Sequence, residues 1–408
     1  MKAFRAELTL WLSVGLVAYN YVGYPLILFV LSELSQVKAD FLYLIGRRSR
    51  RCPPPAQYVP RVAILTSVYN EESVIQAKVK NAFAIDYPPD RLEFLVGLDA
   101  PTDSTAELLS QIGSNQLRVF WFPARRGKLA VLCDLAERTS AEILVFTDAN
   151  TMLEHDCIRN LVRHFADAEV GAVSGEEIRL RREGAESSAE LLYWRYESAL
   201  KLLESRLNCA LGANGALYAV RRALFHPRKH SVVEDFQIPL EIRSKGHRVV
   251  YDPEAAGSED LPATLAAQFE RRARIAAGSF QTLFANPQFL SPLKGLPTFA
   301  YLSHKVLRWI TPALLLITLF CNFLLSTRPF YAGLLVAQSL FYAAAIVGYW
   351  RKTRGGHAGL CSLPFYFCAI NLPLLVGMFR YFAGRQNMAW KVTPRDLSTE
   401  IIAAKGRS

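Results

Sequence analysis

Cysteine is scarce and scattered: seven residues in 408, with no close pair at metal-binding or redox spacing. That argues against a disulfide framework and fits a reducing compartment. Glycine-rich phosphate loops are missing too. No GxxxxGK[ST] stretch occurs, and the turn after the first strand-like run of the central region reads Tyr69-Asn70-Glu71-Glu72. Without glycine that backbone cannot cradle a pyrophosphate closely, which excludes a dinucleotide fingerprint. There is no internal repeat, no low-complexity tract and no basic face interleaved with aromatics. The last absence argues against nucleic acid as a partner. Charge is absent from residue 8 until Glu33 in LTLWLSVGLVAYNYVGYPLILFVLSEL. Such a run exceeds the roughly 20 residues that cross a bilayer. It is also too long for a signal peptide, and an Arg-rich segment follows it in place of a cleavage site.

Apolar residues make up 51% of the chain and concentrate at its two ends, the second zone running from Trp309 to about Gly384. The net charge of +11 is clustered, in Arg47, Arg48, Arg50 and Arg51 and again in Arg351, Lys352 and Arg354. The positive-inside rule puts both clusters on the cytoplasmic side, where anionic lipid attracts them. The expected organisation is a transmembrane helix (about 8–34) with a basic linker in 1–52, a cytoplasmic domain in 53–290, and a C-terminal membrane region in 291–408. That region would hold an interfacial helix, spans at about 310–327 and 330–350, an interfacial or re-entrant element at 360–384, and a cytoplasmic tail. Pro364, Asn371 and Pro373 favour the interfacial reading of 360–384, and a full fourth span is the alternative. Leu296–Arg308 sets Tyr301, Leu302, Val306 and Leu307 beside His304, Lys305 and Arg308, as a helix in the interface plane would.

Between the apolar ends, short apolar runs alternate with helical patterns. Val62–Val68, Glu93–Asp99, Leu117–Phe122 and Ile143–Thr147 read as strands. Glu71–Ala84, Ser104–Ile112, Lys128–Arg138 and Glu154–Phe165 read as helices. The alternation predicts an α/β fold, a mostly parallel sheet with helices on both faces, flanked by transmembrane helices. Beyond Val170 the pattern changes to a helix at Ser188–Leu207, a loop entering a helix at Val232–Lys245, a strand at His247–Tyr251 and an Arg-rich helix at Phe269–Gln281. Tyr193, Trp194 and Tyr196 read as core packing in preference to an acceptor surface.

Ligands of such sheets bind beyond the carboxyl ends of the strands. Here those ends carry Tyr69, Asn70 and Glu71, then Asp99, then Asp148 and Asn150. Acids and amides also cap helices, and Asp103 fits either a cap or the site. Three polar strand ends on one sheet edge nevertheless suggest a ligand. A nucleotide diphosphate held there would be neutralised by a metal and by side chains such as Arg126 and Lys128.

The stretches AILTSVYNEE, LDAPTDST, RRGKLAVL and FTDANT resemble the nucleotide-binding half of inverting glycosyltransferases of family 2, which have a GT-A fold. GANGALYAVRR, VVEDFQIPLEIRSKGHRVVYDPEA and RRARIAAGSFQTL resemble the acceptor half, and the flanking spans the branch that includes cellulose and hyaluronan synthases. The resemblance implies a nucleotide-sugar donor, a UDP-sugar, contacted by Tyr69, Asn70, Glu71, Asp99 and Lys128. Asp99 would accept from the uracil imide. The usual Asp-x-Asp is Asp148-Ala149-Asn150 here, so Asp148 would be the principal ligand of a divalent Mg²⁺ or Mn²⁺ and Asn150 a secondary one. Asp235 falls at the catalytic-base position with Glu234 as the fallback, and Val232 and Val233 suggest a partly desolvated site. Arg271, Arg272 and Arg274 would meet the diphosphate. Ile275 replaces the family's acceptor-stacking Trp, which bears on processivity. WKVTPR resembles a gating loop, with Trp390, Thr393 and Arg395 its working residues.

The implied activity is transfer of a sugar, with inversion, to a growing polysaccharide or lipid-linked glycan at the cytoplasmic face of the inner membrane. Three spans are too few for a wide polymer channel in one monomer, so polymer export would call for an oligomer or a separate export or assembly partner. The alternatives are a single-addition glycolipid-forming transferase and a non-catalytic nucleotide-sugar-binding scaffold.

Overall fold

The computed structural model describes residues 1–46, 58–180, 188–227, 233–260 and 264–385. They fall into two compact units, one built on Asp40–Glu183 and Asn208–Ala267, the other on Met1–Ala39, Gly184–Leu207 and Gln268–Gln386.

Among the described residues, the first unit is a single eight-stranded sheet with helices on both faces. Its strands are β1 (Val62–Val68), β2 (Leu92–Asp99), β3 (Leu117–Phe122), β4 (Ile143–Thr147), β5 (Met152–Leu153), β6 (Val170–Leu180), β7 (Leu217–Arg221) and β8 (Arg248–Asp260). They lie in the order β3-β2-β1-β4-β7-β6-β8-β5. The first four are parallel throughout, as the strand–helix alternation predicts. β7 then runs antiparallel between β4 and β6, β6 and β8 are parallel, and β5 pairs antiparallel at the edge. The period-2 geometry of β1 explains its unbroken apolar run. Val62, Ile64 and Val68 enter one core with Ile75, Val79, Ile158 and Leu161. Ala63 and Leu65 enter the other, with Leu129, Leu132, Leu135, Ile238 and Ile242.

Three strands, β5, β6 and β7, were not evident in the sequence. β6 carries Gly171 and Gly175, which lower strand propensity. Both are steric requirements: a Cβ at Gly171 would lie 2.5 Å from Ile242 Cγ2, and one at Gly175 would lie 2.5 Å from Ala255 O. Close backbone approach, not strand propensity, chose these residues.

Among the described residues four helices are long and apolar enough to cross a membrane: Lys2–Leu44, Leu296–Leu324, Pro329–Thr353 and Gly359–Phe382. The first widens into a π-turn at Tyr19–Gly23. Pro25 follows, and its missing N–H and its ring disfavour regular α-helical bonding there. The fourth covers the stretch expected to be interfacial or re-entrant, and is helical from Ser362 to Phe382 through Pro373. It crosses the Leu265–Ala285 helix at Gly377, where a Cβ would lie 2.4 Å from Ala276 Cβ.

Leu296–Arg308 is not a separate helix but the start of Leu296–Leu324. Its polar face is buried. Arg308 is ion-paired with Glu197, and His304 Nδ1 lies 2.6 Å from Glu204 Oε1. Tyr24 Oη donates to the same Glu204 oxygen at 2.6 Å. Tyr193 and Tyr196 face the Arg308 guanidinium, so part of the aromatic patch does pack inward. The amphipathic pattern of this segment is answered by glutamates of the Ser188–Arg206 helix.

Candidate active site

The candidate site belongs to the first unit, at the carboxyl ends of β1, β2 and β4. One cleft is lined by Ser67, Tyr69, Glu71, Asp99, Arg125, Lys128, Asp148, Ala149 and Asn150. The loops after β1 and β2 both contain a residue in the left-handed region, Asn70 (φ 52°) and Ala100 (φ 53°). Cross-links hold them there. Asn70 Nδ2 donates to Thr102 Oγ1 at 2.9 Å, and Asn70 Oδ1 accepts from Thr102 N–H at 2.8 Å. The Asn70 amide is thus spent on loop geometry, while its neighbours Tyr69 and Glu71 line the cleft. Asp103 acts as a local cap, accepting from the Thr105 and Glu72 amides.

Asp99 is 3% exposed. Its carboxylate accepts from the backbone N–H of Arg126 at 2.6 Å and of Gly127 at 2.9 Å. Gly127 (φ 88°) supplies the backbone freedom that this tight turn needs. The turn decides which arginine faces the cleft. Arg126, expected there, directs its guanidinium to Asp134. Arg125, which the sequence did not single out, lines the cleft with its guanidinium 3.7 Å from the Tyr69 ring centroid. The Arg125-Arg126 doublet before Gly127 was the only available signal.

Lys128 opens the helix Lys128–Glu137 and joins the two halves of the site. Its Nζ lies 2.8 Å from Asp148 Oδ1 and 2.7 Å from Glu234 Oε1, and donates to Gly215 O at 3.4 Å. Burial pulls its pKa down, but Asp148 and Glu234 outweigh burial and hold the ammonium above the usual lysine range. Glu234 and Asp235 form the first turn of the helix Glu234–Ser244, where the helix dipole favours negative charge. Burial pushes the Asp235 pKa up to about 7, aided by Glu234 and Asp148 and opposed by Lys128.

The sequence GANG (212–215) is explained by this helix start. A Cβ on Gly215 would lie 2.7 Å from Asp235 Oδ2, and one on Gly212 would lie 2.7 Å from the Phe236 ring. Ala213 N–H donates to Asp235 O at 2.9 Å. Tyr218 on β7 is fully buried, and its hydroxyl has no hydrogen-bond partner among the described residues. Burial and the nearby Glu234, Asp235 and Asp148 raise its pKa well above the ordinary value.

The chemistry of the cleft suits a phosphate-bridging divalent cation. Asn150 is 7% exposed beside Asp148, and its amide nitrogen has no hydrogen-bond partner among the described residues. Turned over, that amide presents an oxygen. Among the described residues no three His, Cys, Asp or Glu side chains gather to hold a metal. A cation here would therefore take phosphate oxygens as well, as Mg²⁺ commonly does.

Arg271, Arg272 and Arg274 are on the Leu265–Ala285 helix of the second unit. Arg272 donates to the Ala369 carbonyl at 3.1 Å and lies over the Tyr366 ring. Trp390, Thr393, Arg395 and Val232 are outside the described residues; Val233 is buried.

Similarity to known proteins agrees with this geometry. The chain is 25% identical over 246 residues to the poly-β-1,6-N-acetyl-D-glucosamine synthase of Staphylococcus aureus, covering 57% of each protein. It is 26% identical over 235 residues to the β-monoglucosyldiacylglycerol synthase of Synechocystis, covering 54% of this chain and 48% of that one. The chain thus spans about half the length of these relatives. In structure it matches the mannosyltransferase PcManGT from Pyrobaculum calidifontis, solved with GDP-Man and Mn²⁺, with a TM-score of 0.69 and 21% identity over 92% of this chain and 99% of that one. That match shows the GT-A fold. The family model for "Glycosyltransferase like family 2" takes in residues 60–278 of the 408, from β1 through the acidic turn, Asp235 and most of the arginine-rich helix, and this chain belongs to that family.

Proposed function

We propose that the protein is a membrane-associated inverting glycosyltransferase. It takes a sugar from a nucleotide-sugar, a UDP-sugar by its resemblance to the synthase branch, and passes it to a hydroxyl of a polysaccharide or lipid-linked glycan at the cytoplasmic membrane face. The observation that carries this reading is Lys128. One ammonium pairs with Asp148 on the donor side and with Glu234, next to Asp235, on the acceptor side.

In this reading Asp235 removes the proton from the acceptor hydroxyl. The oxygen attacks the anomeric carbon opposite the diphosphate, the sugar–phosphate bond breaks, and the diphosphate leaves with its electron pair. A base with a pKa near 7 is well matched to that task. Tyr69 and Arg125 offer a face and a charge to the nucleotide, and Lys128 pairs with the carboxylates of Asp148 and Glu234. A divalent cation held by Asp148 and Asn150 would neutralise charge on the leaving diphosphate. The relatives named as a polymer synthase and a glycolipid synthase leave two product classes, and Ile275 in place of an acceptor-stacking Trp favours the shorter product.

The test is turnover of radiolabelled nucleotide-sugars in membranes, with and without Mn²⁺. We expect one donor to be used, with the cation required. A ladder of product lengths would identify a polymerase and a single glycolipid would identify one-step transfer. Folded protein that transfers from no donor in the panel would overturn the proposal.

A further inference from the structure

Behind the acidic turn lies a buried lysine that the proposed chemistry does not use. Lys78, on the helix Ile75–Phe83, has no exposed surface. Lysine is almost never fully buried without partners. Its Nζ donates to Thr147 Oγ1 at 3.0 Å and to the Thr151 carbonyl. Those two residues bracket Asp148, Ala149 and Asn150.

One turn further along the same helix, Asn81 grips the chain beyond. Its Nδ2 donates to Leu153 O and its Oδ1 accepts from Leu153 N–H, both at 2.8 Å. Positions 78 and 81 are i and i+3 and share a helix face. The helix is tied at its start to the loop that carries Tyr69 and Glu71, since the amides of Val74 and Ile75 both donate to Glu71 O at 3.0 Å. A single helix therefore anchors the nucleoside-side loop at one end and the acidic turn along its flank.

We propose that Lys78 is a positioning residue that couples these two parts of the donor site, fixing the Asp148–Asn150 turn relative to the Tyr69–Glu71 loop. The inference rests on the donor-site reading above. Lys78 would touch neither nucleotide nor cation and would act through Thr147 and Thr151. Two donors are needed and an amine has two even when neutral, so the clamp is independent of its charge. Without it, the ends of the turn lose buried partners in a low-dielectric setting and Asp148 loses its fixed direction.

The test uses the purified full chain and calorimetric titration of UDP and GDP with and without Mn²⁺. Wild type should bind one of them more tightly with the cation. In Lys78→Met, that Mn²⁺ enhancement should fall about tenfold, the scale of one buried hydrogen bond, with cation-free affinity nearly unchanged. Thr147→Val keeps the shape, removes one acceptor and guards against poor folding of the lysine variant. It should show the same loss, and the double variant should not add the two. An unchanged enhancement in folded Thr147→Val and Lys78→Met would overturn the inference, as would an equal loss of affinity with and without Mn²⁺. Wild type that binds neither nucleotide with Mn²⁺ would sink the donor-site reading itself, and this inference with it.

Discussion

Asp235→Asn preserves the shape of the side chain and removes its proton chemistry, so stability and activity should move in opposite directions. The Asp235 pKa, about 7 in the folded chain, lies above its ordinary 3.8. The folded protein therefore holds a proton that the unfolded chain releases across that interval. The stability this group contributes is fully present below about pH 3.8 and is lost as pH rises through 7. Above pH 7 the wild type carries a desolvated anion beside Glu234 and Asp148, and the asparagine variant does not. The interval, 7 minus 3.8, at 1.36 kcal/mol per unit sets a ceiling of about 4 kcal/mol. Asp235 keeps some contact with water, so half of that, about 2 kcal/mol, is the working expectation. For a domain of this size it corresponds to a rise in Tm of about 4–8 °C at pH 8. The advantage should shrink at pH 5 and vanish near pH 4. Thermal unfolding of the purified variant across this range measures it. Transfer should meanwhile fall by about 10²-fold or more at every pH. A stability difference that does not change with pH would refute the buried-acid argument, and wild-type transfer rates would refute the assignment of Asp235 as base.

Two further expectations concern the charges around it. Asp148→Ala should weaken Mn²⁺-dependent donor binding by about tenfold or more while leaving weak cation-independent binding, measurable by titration; unchanged Mn²⁺ dependence would remove Asp148 from the cation site. Lys128 holds the Asp235 pKa down, so Lys128→Met should move the acid limb of the kcat/KM profile to higher pH by about one unit. A limb that stays in place would show that Lys128 and Asp235 are not electrostatically linked.

How much of the site was legible depended on whether the signal was local. Asp99, Asp148 and Asn150 could be picked out because each follows an apolar strand, and a strand end in a parallel sheet is a defined place. Arg126 was chosen over Arg125 because sequence cannot show which way a turn faces. The Asp99 carboxylate settled that by binding the amides of residues 126 and 127. Nothing local in the sequence sets Lys78 apart from the other polar residues of its helix. Its burial depends on Thr147 and Thr151, which are distant in sequence.

The sequence by itself determined the strands β1, β3 and β4 residue for residue, the helix at Lys128, and the apolar stretches long enough to cross a membrane. Periodicity and run length are carried by neighbouring residues and need no partner to be read. Only the tertiary structure decided that β7 would insert antiparallel between β4 and β6, and that the glycines of β6 and of residues 212–215 stand where a Cβ would collide. It also decided that one lysine would pair with acids from two separate segments. Steric exclusion and charge pairing are properties of distances between residues far apart in the chain, and those distances exist only once the chain has folded.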